Sequence, residues 1–586
     1  MTDPETREKE FSFKNLFVSL TTLKAIHWII FIGIIVYANM LFNGFVWDDI
    51  NYIINNPQIH TLSISTLFNS FRESLFNTGG QYRPFTAIYF LISHAIFGNV
   101  SFFYHILQLF LHIINTILLF ILFIKFFSKK ISLFSSIIFL IHPVQTEAVS
   151  YIAASGSPLF FLFGITALLI GINNKTSIQK FIIILSLLLF SMLARETGIL
   201  FILLLIFYKM LFNKKQLVKY FILSLLTLLI YILIRTIIGG IYLEKLDLAL
   251  IANLSLVERL INIPEIFYYY IKTFFIPIIL SVDQQWTVQK ITISNFYFPL
   301  LIDLLFLIGI CILGFYTRLK RNTLFLTFLF FLVWFVIGIA LHLQIFPLDF
   351  TVSDRWFYFP IIGLLGIIAS AFQILEAHFK KLYIPVIAIA LIVICLFSTR
   401  TIIRNTNWQN QLTLFTHDIK LQDNFDSQNN LGSAYTLSGN PRQALIHYQK
   451  SVNLLPNDTN LFNLGYTYQQ LGDLQNAKKN YLKVLDNKKS RSIPKSYAFQ
   501  SLGFMFLESN PKIAKEYATQ GLQEFPNDGS LYSILAISNY KLNDRADALS
   551  AAEKAKTFLP NEATNSIYFL ILNNQHIDLS GQKFVY

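Results

Sequence analysis

Asp48 and Asp49 are adjacent carboxylates in the stretch NGFVWDDINYIINNP, between Trp47 and Ile50 and directly after a long apolar run. A carboxylate in such a place can serve as a general base or hold a metal ion. Arg83 in GGQYRPF, Arg195 in ARETG and Arg355 in VSDRWFYFP carry forked guanidinium groups that suit a phosphate. Other polar side chains stand out against apolar surroundings: His142 and Glu147 in HPVQTEAVSYI, Glu196 beside Arg195, Asp283 in LSVDQQW, and Asp354 beside Arg355. Structural roles compete for the same residues. One acid of the pair could cap a helix starting near Ile50. His142 and Glu147 could be polar glue between helices, and Arg195 with Glu196 a plain ion pair at a hairpin.

The elements that must position these residues are apolar. Of 586 residues, 54% are hydrophobic and only 13% charged, with a mean hydropathy of +0.54. This excludes an ordinary soluble protein and a disordered one, and points to many membrane spans. The net charge of +13 does not indicate nucleic acid, because the basic residues sit in short loops between apolar runs. Cys311 and Cys395 both lie inside apolar runs, which argues against a disulfide framework or a cysteine zinc site. The charged N-terminus leads into an apolar run too long for a signal-peptide core, so that run reads as an uncleaved first span.

Up to residue 400 the chain shows eleven runs near the ~20 residues that cross a bilayer: 22–42, 103–126, 132–152, 157–172, 178–194, 197–213, 217–238, 296–316, 322–341, 357–374 and 382–400. Segments 84–98 and 256–279 are apolar but interrupted, and read as interfacial or re-entrant. With the N-terminus in the cytoplasm, five basic loops fall inside: Lys125, Lys129 and Lys130; Lys175 and Lys180; Lys209, Lys214, Lys215 and Lys219; Arg318, Lys320 and Arg321; Lys380 and Lys381. The C-terminus is then outside. So are Asp48, Asp49, Arg83, Glu147, Arg195, Glu196, Asp283, Asp354 and Arg355, with the first outer loop, 43–102, carrying the acid pair.

Residues 401–586 are polar and repetitive. Leu431, Gly432, Tyr435, Ala444 and Tyr448 recur 33 residues later as Leu464, Gly465, Tyr468, Ala477 and Tyr481. A third unit has Leu502, Gly503, Ala514 and Pro526, and a fourth Leu535, Ala536, Ala548 and Pro560. This is the spacing of the tetratricopeptide repeat, which stacks into a solenoid with a concave groove suited to a peptide or protein. The expected organisation is all-α: a polytopic membrane domain over 1–400, a junction over 401–424 with Arg400, Arg404 and Trp408, four repeats over 425–562, and a capping segment over 563–586.

A polar cleft at the outer membrane face follows from that convergence. A carboxylate base with arginines at a bilayer surface suits a lipid-phosphate donor and a hydroxyl acceptor. A transporter would place its polar site near the midplane and show internal symmetry. A non-enzymatic scaffold would need neither the acids and arginines nor so many spans, although the repeats alone would fit it.

The motifs GFVWDD, YRPF, HPVQTEAVSYI, RETG, LSVD, DRWFYFP and RTIIRNTNW, in this order and followed by tetratricopeptide repeats, resemble the TMTC-type transmembrane and tetratricopeptide-repeat O-mannosyltransferases of the GT-C glycosyltransferase superfamily. The resemblance covers nearly the whole chain. It implies a GT-C-type membrane domain and inverting transfer of a sugar, typically mannose, from a polyprenyl- or dolichyl-phosphate donor to Ser or Thr hydroxyls of a protein. It makes Asp48 and Asp49 the catalytic pair, with Asp48 favoured as base and Asp49 positioning the site or a cation. The reverse order, and the need for a divalent cation at either acid, stay open. Arg83, Arg195 and Arg355 become candidates for the donor phosphate. Trp47 becomes a cleft-lining residue, and His142, Glu147, Glu196, Asp283 and Asp354 line the cleft or hold the arginines in place. The acceptor stays open between a protein and a glycan or lipid. The outer face is periplasmic if the membrane is a bacterial inner membrane, and luminal if it is that of the endoplasmic reticulum.

Overall fold

The computed structural model describes residues 20–72, 81–173, 177–240, 249–378, 380–487 and 492–577, the side chains of 378 and 380–384 excepted. Lys175, Gly79, Gly80, the N-terminal nineteen residues and 578–586 of the capping segment lie outside the described residues, as do the side chains of Lys380 and Lys381. Among the described residues all regular structure is helical, and the chain divides into two compact units, Met1–Leu421 and Gln422–Tyr586.

In hydrocarbon a backbone must satisfy its own hydrogen bonds, so apolar runs become helices. Among the described residues eight helices are long and apolar enough to cross a membrane: Thr22–Phe42, Ser101–Phe123, Ile152–Ile172, Lys214–Ile238, Ile293–Lys320, Asn322–Ala340, Pro360–Ala377 and Pro385–Asn407. The pair Lys129–Ile141 and Pro143–Ser150, bent by 48°, makes a ninth if it is one span. The remaining two expected spans are helices of 17 residues, Ile178–Ala194, and 14 residues, Ile199–Phe212. The second is short for a crossing. Leu256–Phe275 is not a candidate span, since it carries Glu258, Arg259, Glu265 and Lys272 besides Pro264.

Buried polar side chains tie the helices together. His112 bonds the Leu140 carbonyl at 3.0 Å and the Tyr358 hydroxyl at 3.0 Å, and the Asn115 amide donates to the Pro158 carbonyl at 2.9 Å. Such groups are satisfied inside the bundle, where no water would replace a lost partner. At Gly338 a Cβ would stand 2.9 Å from the Phe359 ring, so glycine permits the close approach of Asn322–Ala340 to the turn before Pro360–His378.

Residues 401–421, expected as part of a junction over 401–424, belong to the same compact unit as the membrane helices. The reason lies in their bonds. Thr401 donates to the Ile141 carbonyl at 2.6 Å, Ser150 to Asn405 Oδ1 at 2.9 Å, and the Gly44 N–H to the Gln409 carbonyl at 2.9 Å. The Asp418 carboxylate accepts the Val282 N–H at 2.7 Å and the Ser281 hydroxyl at 3.0 Å.

The second unit is four helix pairs, from Phe425–Leu437 with Pro441–Leu454 to Gly529–Lys541 with Arg545–Phe558, followed by Glu562–Leu572. Asn440, Asp473, Asn510 and Asp544 each cap the second helix of a pair with a side-chain oxygen. A Cβ at Gly465 would meet the Tyr481 ring at 2.8 Å, so the recurrent glycine is what lets the two helices of a pair close on their tyrosine.

Candidate active site

The two adjacent acids have different surroundings. Asp49 is fully buried, and its carboxylate accepts the Val46 N–H at 3.1 Å and the Ala153 N–H at 2.6 Å. It joins the acidic turn to the turn before Ile152–Ile172. Asp48 is half-buried, and its Oδ2 accepts one hydrogen bond, from the Tyr151 hydroxyl at 2.7 Å. Burial raises the proton affinity of Asp48, while the Tyr151 bond and then the Arg355 charge oppose the rise. Burial pushes Asp49 well above the ordinary carboxylate value as well, against its two N–H bonds.

The turn that presents these acids is fixed from several sides. The Asn43 carbonyl accepts from Ser101 at 2.9 Å and lies 3.1 Å from His105 Nε2. Trp47 has φ +54°, a left-handed conformation that costs a non-glycine residue about 1–2 kcal/mol. Packing offsets that cost. The Trp47 ring stacks on Tyr151 at 5.2 Å and meets Phe350 and Phe415 edge-on at 5.9 and 6.3 Å. Tyr151 stacks in turn on Trp408 at 5.5 Å.

The Arg355 guanidinium lies over this aromatic wall, 5.7 Å from the Trp47 ring and 5.6 Å from Phe350. Glu147, buried, holds it. One oxygen takes Arg355 Nη1 at 2.5 Å and the Ser353 hydroxyl at 2.9 Å, and the other takes the Arg355 N–H at 3.0 Å. The opposing charges of Glu147 and Asp349 keep Arg355 firmly protonated in spite of burial.

A second arginine group forms around Glu196. Its carboxylate accepts Arg83 Nε at 3.1 Å and the Tyr82 N–H at 3.0 Å, and lies 3.5 Å from Arg235. Burial works against ionisation of Glu196, but the charges of Arg83 and Arg235 outweigh it and hold the group below its usual value. Arg195 donates to the Ser157 hydroxyl. Burial, then the charges of Arg83 and Arg355, lower its proton affinity. The charges of Arg83 and Arg355 both act on Arg195, and Asp48 lies within the field of Arg355.

Other expected cleft residues are placed differently. His142 is buried and uses both ring nitrogens on backbone: Nδ1 accepts the Val144 N–H at 3.2 Å, so Nε2–H donates to the Phe274 carbonyl at 2.9 Å. Its bonds are those of a bridge between helices. Asp354 diverges from its neighbour Arg355. It accepts the Tyr269 hydroxyl at 2.7 Å, and burial, then Glu147, push it up to about 8 against Tyr269 and Arg404. Asp283 is buried beside Val282, in the stretch that Asp418 anchors.

Several residues at the cleft escape a reading for isolated charges. Tyr151 lies inside a quoted motif but looks like packing. Trp408 was assigned to a junction, yet it backs Tyr151. Arg235, a lone cation in the run LLIYILIRTII, was findable by the rule that charge inside apolar runs is expensive. Asp349 lies six residues before Arg355, and its charge acts on Asp48, Tyr52, Arg195 and Arg355. Among the described residues no three His, Cys, Asp or Glu side chains come together to hold a metal ion.

Comparison with known proteins bears on this arrangement. A Caenorhabditis elegans protein O-mannosyl-transferase is 25% identical over 73% of this chain and 62% of its own length. Protein O-mannosyl-transferase TMTC3 of Homo sapiens is 23% identical over 78% of this chain and 54% of its own. The chain is similar to TMTC-type protein O-mannosyl-transferases over most of its length. It spans little more than half the length of these two relatives. The tetratricopeptide-repeat family model matches residues 459–490, the second helix pair. Among solved structures, the APC/C hetero-tetramer Cut9–Hcn1 aligns at 14% identity over 75% of this chain and 77% of that one, with a TM-score of 0.27 that carries no weight.

Proposed function

We propose that this chain is a membrane glycosyltransferase of GT-C type that moves a sugar from a polyprenyl-phosphate donor to Ser or Thr hydroxyls of proteins at the outer membrane face. The sugar is mannose, as in the names of its relatives. The observation that carries the reading is Asp48: a half-buried carboxylate with one hydrogen bond, in the field of Arg355, in a chain related to protein O-mannosyl-transferases.

In this mechanism the acceptor hydroxyl oxygen attacks the sugar C1. The new C1–O bond forms as the C1–O bond to phosphate breaks on the opposite face, inverting the centre. Asp48 takes the hydroxyl proton, and the phosphate leaves with the bonding electron pair. Arg355, Arg195 and Arg83 stabilise the charge that grows on it, which is where arginine forks act best. Asp49 sets the position of Asp48 through its backbone bonds. Both Asp49 oxygens being so engaged, a divalent cation at the acid pair would take Asp48 as ligand. The donor tail stays in lipid, and the repeat groove holds the acceptor polypeptide.

The test is transfer from radiolabelled polyprenyl-phosphate mannose to a Ser/Thr-rich protein acceptor by the purified chain, with and without a chelator. Acceptor-dependent turnover that disappears in a folded Asp48→Asn variant is the expected result. Turnover only onto a glycan or lipid would change the acceptor class. No turnover and no binding with several lipid-phosphate sugars would overturn the reading in favour of a scaffold.

A further inference from the structure

Asp349 stands at the tip of the loop between Asn322–Ala340 and Pro360–His378, and the loop holds it rigidly. Gln344, buried with φ +60°, donates to the Phe350 carbonyl at 2.7 Å and the Thr351 carbonyl at 2.9 Å, and accepts the Leu348 N–H at 2.9 Å. Arg259 Nε donates to the Gln344 carbonyl at 3.0 Å. The Gln285 amide donates to the Asp349 carbonyl at 2.9 Å. The next residue, Phe350, is the ring that touches both Trp47 and Arg355. So many bonds on one short loop fix where the Asp349 side chain starts.

Its carboxylate is half-buried and, among the described residues, makes no hydrogen bond and no ion pair within 4.0 Å. Yet its charge acts on Asp48 and on Arg195 and Arg355. Asp349 pairs with neither guanidinium within 4.0 Å, so its oxygens stay available to a group that the arginines also reach. That group must present hydrogen-bond donors to Asp349 and acceptor oxygens to the arginines. A sugar phosphate does both: its hydroxyls donate, and its phosphate accepts.

We propose that Asp349 is a specificity-determining residue that accepts hydrogen bonds from hydroxyls of the donor sugar while the arginines hold the phosphate. This rests on the transferase reading above. It gives Asp48 and Asp349 separate tasks: Asp48 meets the acceptor hydroxyl, and Asp349 meets the sugar. A carboxylate placed for sugar hydroxyls penalises a donor that lacks the bonded one, because the acid is then left without its partner.

The experiment compares kcat/KM of the wild type, Asp349→Asn and Asp349→Ala on polyprenyl-phosphate mannose and on its 2-, 3-, 4- and 6-deoxy forms, with pH profiles. The wild type should lose about 10- to 100-fold on at least one deoxy donor, the loss expected for one hydrogen bond to a charged group. Asp349→Ala should lose activity on mannose by a similar factor and show almost no further loss on that deoxy donor. Asp349→Asn should fall between, and both should keep an acid limb in the pH profile, since the base remains. Variants that discriminate among deoxy donors as the wild type does overturn the proposal. So does loss of the acid limb, which would make Asp349 the base. A thermal melt separates unfolding from these outcomes, and Asp349→Glu, which keeps the charge, should restore part of the discrimination. Absence of wild-type turnover on every donor would overturn the transferase reading itself, and this proposal with it.

Discussion

The Tyr151 hydroxyl donates a 2.7 Å hydrogen bond to the Asp48 carboxylate, 103 residues earlier in the chain. The bond favours the ionised acid and so opposes the upward push of burial. A general base works only when ionised, so activity should fall as pH drops through a pKa that lies above the ordinary carboxylate range. Tyr151→Phe removes an opposing effect and should move that acid limb to higher pH. A hydrogen bond to a charged group is worth about 1.5–3 kcal/mol, or roughly 1–2 pH units at about 1.4 kcal/mol each. The kcat/KM profile of the variant checks this. An unmoved limb would mean that Asp48 is not the group titrating.

Asp49 should matter to stability where Asp48 matters to turnover. Asp49→Ala leaves the Val46 and Ala153 N–H groups buried without acceptors, at about 1–3 kcal/mol for each. Asp48→Asn can keep the Tyr151 bond through its amide oxygen and should melt close to the wild type. Thermal unfolding of the two variants in the same detergent separates the roles. Equal melting points would show the division of labour to be wrong.

These contrasts show what a sequence reveals and what it hides. The apolar runs and repeats were legible because period and run length act locally: all eleven expected runs are helical, although 132–152 is a bent pair and Ile199–Phe212 is short. The acids and arginines were legible as charges out of place. Partner choice was not. Nothing in DRWFYFP says that Arg355 turns toward Trp47 while Asp354 turns toward Tyr269. Nor does HPVQTE say that Glu147 grips Arg355 while His142 is spent on Phe274. The segment 401–424 reads as a junction, and the sequence does not say which side it joins. Up to residue 421 its polar groups bond the membrane unit, and Trp408 backs the Tyr151 ring.

The Glu147–Arg355 pair should behave as one unit. Both side chains are largely buried, at 1% and 13% exposure, so removing one charge strands the other. Breaking such a pair costs about 3–5 kcal/mol. Glu147→Gln should therefore destabilise strongly and release the 353–355 segment as well. The double variant Glu147→Gln with Arg355→Gln should lose less than the sum of the singles, by about 0.5–3 kcal/mol. Chemical unfolding in detergent measures the coupling. Strict additivity would refute a shared ion pair.

Glu196 should tune donor binding without touching the base. It orients Arg83 through a 3.1 Å bond and lies 3.5 Å from Arg235, so it fixes both forks. Arg83→Lys keeps the charge but loses the fork, and a lysine cannot hold a carboxylate and a phosphate in one plane. Loss of one charge-assisted bond to the phosphate should raise the donor KM by about ten- to a hundredfold. Glu196→Gln keeps an acceptor for the Tyr82 N–H but loosens both arginines, and should raise donor KM by a smaller factor. Neither variant should shift the acid limb set by Asp48. Initial rates over a donor series at several pH values read both quantities together. A shift of the limb with donor KM unchanged would place these arginines on the proton side of the reaction, away from the phosphate.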